Sequence, residues 1–434
     1  MLFYNLNNPS EKADFRTATI RGLASDKGLF FPERIPVQPA DWITHIENQS
    51  DEEIAWQVMH PYAGDAIPES VLRQILRDTI DFEIPLKQIS KNISTLELFH
   101  GPTLAFKDVG ARFMSRCLGY FMKEETRPVT VLVATSGDTG GAVANGFLGV
   151  DGVDVVILYP SGKVSAVQEL QLTTPGKNIR TLEVKGSFDD CQTLVKQAFS
   201  DAELNEKIFL TSANSINVAR WLPQQIYYFL AWKQWKNKSN PPVISVPSGN
   251  FGNICAGLLA HHSGLPVQHF IAACNINAVV PHFLKTGIYH PEKAKSTLSN
   301  AMDVGDPSNF IRILALFQDK FEPLKNMMSS ESITDEETGA AIRLLFREFG
   351  YVADPHGAVG WLALSRWLET HPGQSGIFLE TAHPVKFPDA VQQFTGEPVL
   401  MPESVRNLFT KKKNAQVIEA DYGVFRESLL ANAR

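Results

Sequence analysis

One lysine in the sequence stands where it could act as a nucleophile. The segment Leu98-Phe-His-Gly-Pro-Thr-Leu-Ala-Phe-Lys-Asp108 places Lys107 directly after the apolar run Leu-Ala-Phe. An amine held among apolar groups is disfavoured in its charged form, so its pKa falls and it reacts more readily. By pattern alone, however, a solvated surface lysine is the stronger interpretation, because most lysines are exposed.

Two glycine-rich loops could hold anions. Residues 135–141 (T-S-G-D-T-G-G) and 247–253 (P-S-G-N-F-G-N) each follow a short apolar run and precede a helical pattern. Backbone N–H groups at such a turn, together with the helix N-terminus, favour a carboxylate or phosphate. A tight turn without a ligand is an equally good interpretation of either loop alone. Two such loops in one chain favour a ligand with more than one anionic group.

The loops also exclude two common ligands. Neither contains the G-x-G-x-x-G pattern of dinucleotide sites, and neither ends in the G-K-[ST] of a P-loop. NAD and ATP are therefore poor candidates.

A third polar segment covers residues 212–220 (S-A-N-S-I-N-V-A-R). Pro223 predicts the first residue of a helix that runs on through 224–232. The polar residues Asn214, Ser215, Asn217 and Arg220 would then lie in the approach to that helix. The planar fork of an arginine suits a phosphate, although a loop that satisfies its own backbone is an equally good interpretation.

Composition removes several function classes. The chain has 434 residues, 44% of them hydrophobic, and a net charge of −7, which argues against a general nucleic-acid binder. No apolar run is long enough for a membrane helix, and the N-terminus lacks a signal-peptide pattern. Four widely spaced cysteines indicate a reducing compartment, so we expect a cytoplasmic protein.

Histidine spacing gives no metal site. His261 and His262 are adjacent and would diverge on a helix, and no other pair has ligand spacing. His100, beside the lysine segment, is the one histidine that could border a pocket. No metal is expected.

The elements that must position these residues alternate between strands and helices. Strands are predicted at 129–134, 153–158, 243–246 and 376–379, each followed by a turn-rich segment. Repeated strand–loop–helix units predict a mostly parallel sheet with helices on both faces, whose ligands bind beyond the carboxyl ends of the strands. The first 90 or so residues contain helical patterns, at 51–59 and 69–76, and few strand candidates.

Several strings taken together resemble one enzyme family. The strings H-G-P-T-L-A-F-K-D, T-S-G-D-T-G, N-S-I-N, P-S-G-N-F-G and T-A-H-P-x-K-F occur in the order typical of threonine synthases of the bacterial and fungal branch. The similarity runs from Tyr4 to Phe387. That family belongs to the tryptophan-synthase-β-like enzymes, the fold type II enzymes that use pyridoxal 5′-phosphate.

The resemblance implies a fold and a set of domains. It implies an α/β protein with two open, mostly parallel sheets that hold the cofactor between them, and a small, mainly helical N-terminal domain. The expected ranges are 1–92 for the N-terminal domain, 93–240 for the lysine segment and a smaller mobile domain, 241–390 for a larger domain with the cofactor phosphate loop, and 391–434 for a C-terminal extension. The protein would act as a monomer or a homodimer.

The resemblance also implies roles at the cofactor. Lys107 would bind the cofactor as a Schiff base and later move protons as the catalytic acid and base. Backbone N–H groups of one loop would hold the cofactor phosphate: Ser248, Gly249, Asn250, Phe251 and Gly252. Thr381 would approach the pyridine nitrogen, and Asp138 would approach the ring oxygen, where related families often carry asparagine.

For the substrate, the resemblance implies two further receptors. Thr135, Ser136 and Thr139 would bind the substrate carboxylate, and Asn214, Ser215 and Arg220 would bind its phosphate. The reaction implied is the conversion of O-phospho-L-homoserine and water to L-threonine and phosphate, by a lyase that breaks a carbon–oxygen bond.

Two alternatives remain at this point. A serine/threonine dehydratase or a sulfhydrylase would use the same lysine and carboxylate loop but would not need a receptor for a substrate phosphate. A non-catalytic relative could bind a phosphorylated metabolite, although the presence of Lys107 and of every loop argues against it.

Overall fold

Short apolar segments form the strands of three sheets in the computed structural model, which describes residues 1–125 and 127–431. In chain order the strands are β1 (Leu2–Asn5), β2 (Lys12–Asp14), β3 (Phe30–Pro32), β4 (Leu86–Gln88), β5 (Ile93–Glu97), β6 (Val129–Ala134), β7 (Val153–Pro160), β8 (Ile179–Lys185), β9 (Phe209–Ser212), β10 (Val243–Pro247), β11 (His269–Cys274), β12 (Met328–Ser332), β13 (Gly376–Glu380) and β14 (Gln416–Glu419).

Helices cover the sheets and fill the connections. They are α1 (Phe15–Arg21), α2 (Ala40–Thr44), α3 (Asp51–Ala63), α4 (Glu69–Thr79), α5 (Lys107–Met122), α6 (Asp138–Phe147), α7 (Ala166–Thr173), α8 (Phe188–Ser200), α9 (Ala202–Lys207), α10 (Val218–Trp221), α11 (Gln225–Gln234), α12 (Gly252–His262), α13 (Val279–Thr286), α14 (Phe310–Leu316), α15 (Phe321–Met327), α16 (Asp335–Phe349), α17 (Pro355–Thr370), α18 (Pro388–Thr395), α19 (Glu403–Leu408) and α20 (Tyr422–Leu430). Short 3-10 turns lie at Ile46–Asn48, Leu222–Gln224, Asn300–Met302 and Pro384–Lys386.

Two of the sheets are mostly parallel, as the fold class requires. The larger has the order β12-β11-β10-β13-β5-β4, with only β4 antiparallel to its neighbour. The smaller, β14-β8-β7-β6-β9, is parallel throughout. The predicted strands at 129–134, 153–158, 243–246 and 376–379 are confirmed as β6, β7, β10 and β13. Their central residues are buried, which explains the continuous apolar runs.

The N-terminal unit contains more sheet than the helical patterns predicted. Its helices α3 and α4 are confirmed over the predicted segments. It also holds the antiparallel sheet β2-β1-β3. These strands have three or four residues each, too few for alternation to be recognised in a sequence.

Sheet membership does not follow chain order. Strand β5 precedes the lysine segment and pairs with β13 in the larger sheet, whereas β14, near the C-terminus, pairs with β8 in the smaller one. Relative to the expected domain ranges, the larger sheet takes β4 and β5 from outside 241–390, and the smaller sheet takes β14 from outside 93–240. Lys107 begins its helix where the chain passes from the larger sheet to the smaller.

The third polar segment begins a helix earlier than predicted. Asn217 caps α10 by accepting from the N–H of Ala219 at 3.0 Å, so Arg220 lies inside a helix and not before one. Pro223 lies in the following 3-10 turn, where its missing N–H costs nothing. Asparagine is a common helix N-cap, so Asn217 could have indicated this earlier start, whereas Pro223 indicated a later one.

Among residues 1–125 and 127–431, no helix combines the length and the apolar character that crossing a membrane requires.

Candidate active site

The predicted site residues meet at one cavity of about 750 Å³ between the two parallel sheets. Thirteen of the predicted residues line it: Lys107, Thr135, Ser136, Asp138, Thr139, Asn214, Ser215, Arg220, Gly249, Asn250, Phe251, Gly252 and Thr381. They come from the segments that follow β5, β6, β9, β10 and β13, which is where parallel strands present a ligand site.

Lys107 is fixed by the end of β13. The residues before it form a bridge between Ala105 and Ala382, and the N–H of Phe106 donates to the carbonyl of Thr381 at 2.9 Å. Leu104 takes a left-handed conformation (φ 59°) to make this turn. Thr381 itself is buried and faces the cavity, so the lysine and this hydroxyl are held in one rigid piece.

The environment of Lys107 favours the neutral amine. Its side chain is only 16% exposed, and the Nζ lies 4.7 Å from the centre of the Phe106 ring. Burial lowers the pKa of Lys107, and the positive charges of Lys386 and Arg220 lower it further; Asp138, 3.6 Å from the Nζ, opposes them. The balance is a depressed pKa, which a lysine nucleophile needs.

Asp138 lies between two lysines. Its Oδ1 accepts from Lys386 Nζ at 2.8 Å and from the amide of Gln168 at 3.0 Å, and its Oδ2 faces Lys107. Burial alone would raise the pKa of Asp138, but the two ammonium groups and these hydrogen bonds outweigh it and lower the pKa below its usual range. The carboxylate is therefore ionised. The partners of the Asp138 carboxylate within the chain are therefore Lys386, Gln168 and Lys107.

The first glycine loop is shorter than predicted and strongly preorganised. Helix α6 begins at Asp138, and Gly137 before it has φ 135°, which only glycine adopts readily. A Cβ on Gly137 would lie 2.5 Å from the side chain of Gln168. The Thr135 hydroxyl oxygen accepts from the N–H of Gly137 at 3.0 Å and of Gly140 at 2.9 Å. Ser136 and Thr139 remain on the cavity wall beside a helix N-terminus.

The second glycine loop offers backbone N–H groups to the cavity. Phe251 is left-handed (φ 59°) and precedes α12, whose first-turn N–H groups have no carbonyl partner within the helix. A Cβ on Gly249 would lie 2.6 Å from the Cα of Met302, so only glycine fits there. The left-handed backbone of Phe251, a non-glycine residue, is strained in a way that is typical of binding loops.

Ser248 does not reach the cavity, contrary to prediction. Its N–H donates to the carbonyl of Ala273 at 2.8 Å, and its hydroxyl donates to that of Val246 at 2.8 Å. The loop leaves the sheet one residue later than expected, because Ser248 still bonds to the neighbouring strand.

The phosphate receptor and the second glycine loop are joined by hydrogen bonds. The Ser215 hydroxyl oxygen accepts from the side-chain amide of Asn250 at 3.0 Å and from that of Asn309 at 2.9 Å. Asn309 also donates to the carbonyl of Asn250 at 3.0 Å. Because the Ser215 oxygen already accepts two hydrogen bonds, its hydroxyl proton is free to be donated into the cavity.

Arg220 supplies a buried cation with spare donors. It is 2% exposed, and its Nε and Nη1 have no hydrogen-bond partner in the described part of the chain. Burial lowers the pKa of Arg220 to about 10, so the guanidinium stays charged at neutral pH. Unpaired donors of a buried charge are costly. Their presence at a cavity wall indicates an anionic ligand.

Two buried acids, Asp354 and Glu380, are linked by hydrogen bonds to His356, which lines the cavity. Its Nδ1 lies 2.5 Å from Oδ1 of Asp354, and its Nε2 accepts from the N–H of Ala301 at 3.2 Å. Glu380 Oε1 in turn accepts from the N–H of Asp354 at 2.6 Å. The imidazole is thereby held in the tautomer that carries its proton on Nδ1. It fixes the 3-10 turn Asn300–Met302 against the second glycine loop.

We expect Glu380→Gln to gain stability relative to the wild type as pH rises above 4.5. Burial, and then repulsion from Asp354, raises the pKa of Glu380 well above its ordinary value of 4.5. The folded protein keeps this proton and the unfolded chain releases it, so folding costs up to about 1.4 kcal/mol more per pH unit until the folded pKa is reached. Glutamine does not titrate. Unfolding temperatures between about pH 5 and about pH 9 measure the gap.

The control for that prediction is Asp354→Asn, which removes the charge that holds His356. We expect it to destabilise the protein by about 1–3 kcal/mol near pH 5, because the hydrogen bond to buried His356 is lost. The loss should shrink as the pH rises, because the Asp354 carboxylate no longer raises the pKa of Glu380. A constant gap between Glu380→Gln and the wild type would mean that Glu380 is ionised in the folded protein.

His100 does not border the cavity. Its Nε2 lies 2.7 Å from Oε2 of Glu97, a buried carboxylate that also pairs with Lys87 at 2.8 Å. The His100 side chain therefore lies within hydrogen-bond distance of a buried acid at the edge of the larger sheet. In the described residues, no three His, Cys, Asp or Glu side chains are grouped so as to hold a metal ion.

Sequence reasoning missed three groups that shape this site. Lys386 lies inside the string T-A-H-P-V-K-F, in which the sequence predicts a site residue only at Thr381. His356 follows Asp354-Pro355, a recognisable helix start that says nothing of the cavity. Residues of the segment 292–306 also line the cavity, and the sequence of that segment has no helical or strand periodicity.

Comparison with known proteins agrees with this geometry. Residues 84–376 match the family model for pyridoxal-phosphate dependent enzymes, residues 3–80 that for the threonine synthase N terminus, and residues 357–428 that for the threonine synthase C-terminal part. A threonine synthase of Serratia marcescens is 43% identical over 431 residues, 99% of both chains. The crystal structure of threonine synthase from Escherichia coli superposes with a TM-score of 0.93, at 42% identity over 99% of this chain and 100% of the other. That of pyridoxal-phosphate-bound threonine synthase from Brucella melitensis gives 0.93, at 35% identity over the full length of both.

Two parallel sheets around a buried lysine, a glycine loop at a helix N-terminus and the matched family model define an enzyme that depends on pyridoxal 5′-phosphate, of fold type II. Identity at this level over the whole length goes further. The chain belongs to the threonine synthase family.

Proposed function

We propose that the protein converts O-phospho-L-homoserine and water to L-threonine and phosphate, with pyridoxal 5′-phosphate bound to Lys107. The observation that carries the proposal is that three anion receptors surround one amine, as many as the anionic groups of cofactor and substrate together. The cofactor brings one phosphate, and this substrate brings a carboxylate and a second phosphate. The cavity offers two glycine loops and a buried arginine with unpaired donors.

The residues present fit the cofactor. The depressed pKa of Lys107 suits an amine that must attack an aldehyde, and the N–H groups from Gly249 to Gly252 suit a phosphate at the start of α12. Thr381 would meet the ring nitrogen as a neutral hydroxyl, and Asp138 would approach the ring oxygen while Lys386 keeps the carboxylate charged. When bound, the cofactor supplies an electron sink for charge that develops at Cα.

The residues of the chain would bind the substrate at its two ends. Ser136 and Thr139, with the N-terminus of α6, receive the carboxylate, while the Thr135 hydroxyl holds their loop in shape. Arg220 and the Ser215 hydroxyl donate to the γ-phosphate, and the side-chain NH₂ of Asn214, which lines the same cavity, would donate at that end. A substrate held at both ends keeps its Cα, Cβ and Cγ beside the lysine.

Lys107 would then move the protons. It accepts a proton from Cα, gives it up and then accepts one from Cβ, and phosphate leaves Cγ with the electron pair of the carbon–oxygen bond. A proton is returned to Cγ, and water then adds its hydroxide to Cβ while its proton goes to the released phosphate. A proton returned to Cα completes threonine. The low exposure of Lys107 keeps bulk water from these carbons until addition at Cβ.

The test of the function is turnover of the full-length protein with O-phospho-L-homoserine, following phosphate and threonine together. Equimolar release of both supports the proposal. Turnover of serine, threonine or O-acetylserine without turnover of the phosphorylated substrate would identify a dehydratase or sulfhydrylase. Bound cofactor with no product from any phosphorylated amino acid would leave a binding protein.

We expect Arg220→Met to reduce kcat/KM for the phosphorylated substrate by about 100-fold, because charged hydrogen bonds to the phosphate are lost. Arg220→Lys keeps the charge without the planar fork and should lose about 10-fold. Steady-state kinetics with inorganic phosphate as competitor measure both effects. Unchanged kinetics in Arg220→Met would place the substrate phosphate elsewhere.

We further propose a cytoplasmic location, supported by four cysteines that are all unpaired and buried. We propose that the protein acts as a monomer or a homodimer.

A further inference from the structure

Two buried lysines share one carboxylate beneath the cavity. Lys386 has no exposed surface, and its Nζ contacts Asp138 Oδ1 at 2.8 Å and the carbonyl of Thr103 at 2.7 Å. Lys107 faces the other oxygen of the same carboxylate at 3.6 Å. A wholly buried ammonium is expensive unless it is paired, so this arrangement needs a function or a strong structural reason.

The pair joins the two parallel sheets. Asp138 opens the helix after β6 of the smaller sheet, and Lys386 lies in the 3-10 turn after β13 of the larger one. Gln168, on α7 beside the smaller sheet, holds the same carboxylate oxygen at 3.0 Å. The carboxylate therefore cannot turn away from Lys386 without breaking contacts on both sides.

The charges around the Lys107 amine come from three elements. Asp138 on α6 favours its protonation, whereas Lys386 after β13 and Arg220 on α10 oppose it. Asp108, the next residue, is occupied by Thr103, whose N–H donates to its Oδ2 at 2.9 Å. The charge of Asp138 is therefore the one attraction among these groups that could hold Lys107 as an unreactive ammonium.

We propose that Lys386 is a positioning residue for the reaction: it is the permanent counter-ion of Asp138 and thereby keeps the Lys107 amine uncharged and free to react. This inference rests on the proposed role of Lys107 as the cofactor lysine. Lys107 alternates between a free amine and a bound form, so its charge cannot balance Asp138 throughout a cycle. Lys386 can, because it contacts Asp138 at shorter distance and is not exposed to the cavity.

The test is the pH dependence of Lys107 acetylation in the full-length chain, freed of cofactor and shown to take it up again. Acetic anhydride labels free amines, and mass spectrometry of the Lys107 peptide gives the rate, with exposed Lys412 as internal reference. In Lys386→Met the midpoint should move about one pH unit or more to higher pH, because Lys107 is then the one cation paired with Asp138 among residues 1–125 and 127–431.

The double variant Asp138→Asn/Lys386→Met separates this role from packing. Removing the carboxylate as well should return the midpoint to lower pH than in Lys386→Met, whereas a packing defect would not reverse. A folded Lys386→Met protein with the wild-type midpoint overturns the proposal.

If Lys386→Met does not fold, Lys386→Gln takes its place, because the glutamine amide can donate to Asp138 and to the carbonyl of Thr103 without carrying a charge. Its midpoint should also lie at higher pH than that of the wild type, and equal midpoints overturn the proposal. Labelling is measured whether or not Lys107 binds cofactor. A failure here is therefore distinct from a failure of the cofactor role, which cofactor uptake by the unlabelled protein reports.

Discussion

Replacement of Lys107 by alanine is expected to abolish covalent binding of the cofactor and to lower kcat by at least about 10⁴-fold. The variant loses both the amine that holds the cofactor and the group that moves protons at three carbons, and acid–base catalysis alone is worth about 10²–10⁴-fold. The Lys107 side chain lies at the first residue of a helix and lines the cavity, and alanine is a good helix former, so the fold should persist. The measurement is visible absorbance of the cofactor together with threonine and phosphate release.

Lys163→Ala is the matched control, because Lys163 is exposed and outside the cavity. It should keep the absorbance and the turnover of the wild type. A Lys107→Ala protein that retains a cofactor band stable to denaturation would show that another amine carries the cofactor.

Much of the fold and of the site could be predicted because the signals are local. The strands β6, β7, β10 and β13 are continuous apolar runs bounded by glycine or proline, and buried parallel strands require that pattern. The loops that follow them necessarily meet at one edge of each sheet. Thirteen of the predicted site residues consequently line a single cavity, although no single loop was convincing alone.

The remaining features depend on contacts between distant segments. Nothing near Lys386 indicates that its ammonium will pair with Asp138, since the contact exists only once both sheets are assembled. The family resemblance places Ser248 in the phosphate loop. Its N–H instead continues the pairing of the sheet by one residue. Likewise β14 could not be assigned, because a four-residue strand is recognised only by its partner.

Arg312→Met is expected to lower the free energy of unfolding by at least about 3 kcal/mol. The Arg312 guanidinium is fully buried and donates five hydrogen bonds to four oxygen atoms, namely the carbonyls of Phe30, Ser215 and Ile216 and the side chain of Asn309. It also lies 4.5 Å from the ring of Trp221. Methionine fills similar space but leaves these buried oxygens without donors, each at a cost of about 1–3 kcal/mol. Urea and thermal unfolding measure the loss.

Arg366→Met provides the contrast. Arg366 has two carboxylate partners, Glu331 at 2.5 Å and Glu337 at 2.6 Å, but its side chain is 36% exposed. Solvent-exposed ion pairs of this kind contribute about 0–1 kcal/mol. A count of ion pairs would therefore rank Arg366 above Arg312, whereas burial and unpaired oxygens rank them the other way.

Because Arg312 joins the N-terminal unit to the Ser215 segment, its loss should also raise KM for a phosphorylated substrate. Equal losses of stability in the two variants would contradict this ranking, and an unchanged KM would mean that the phosphate receptor holds its shape without Arg312.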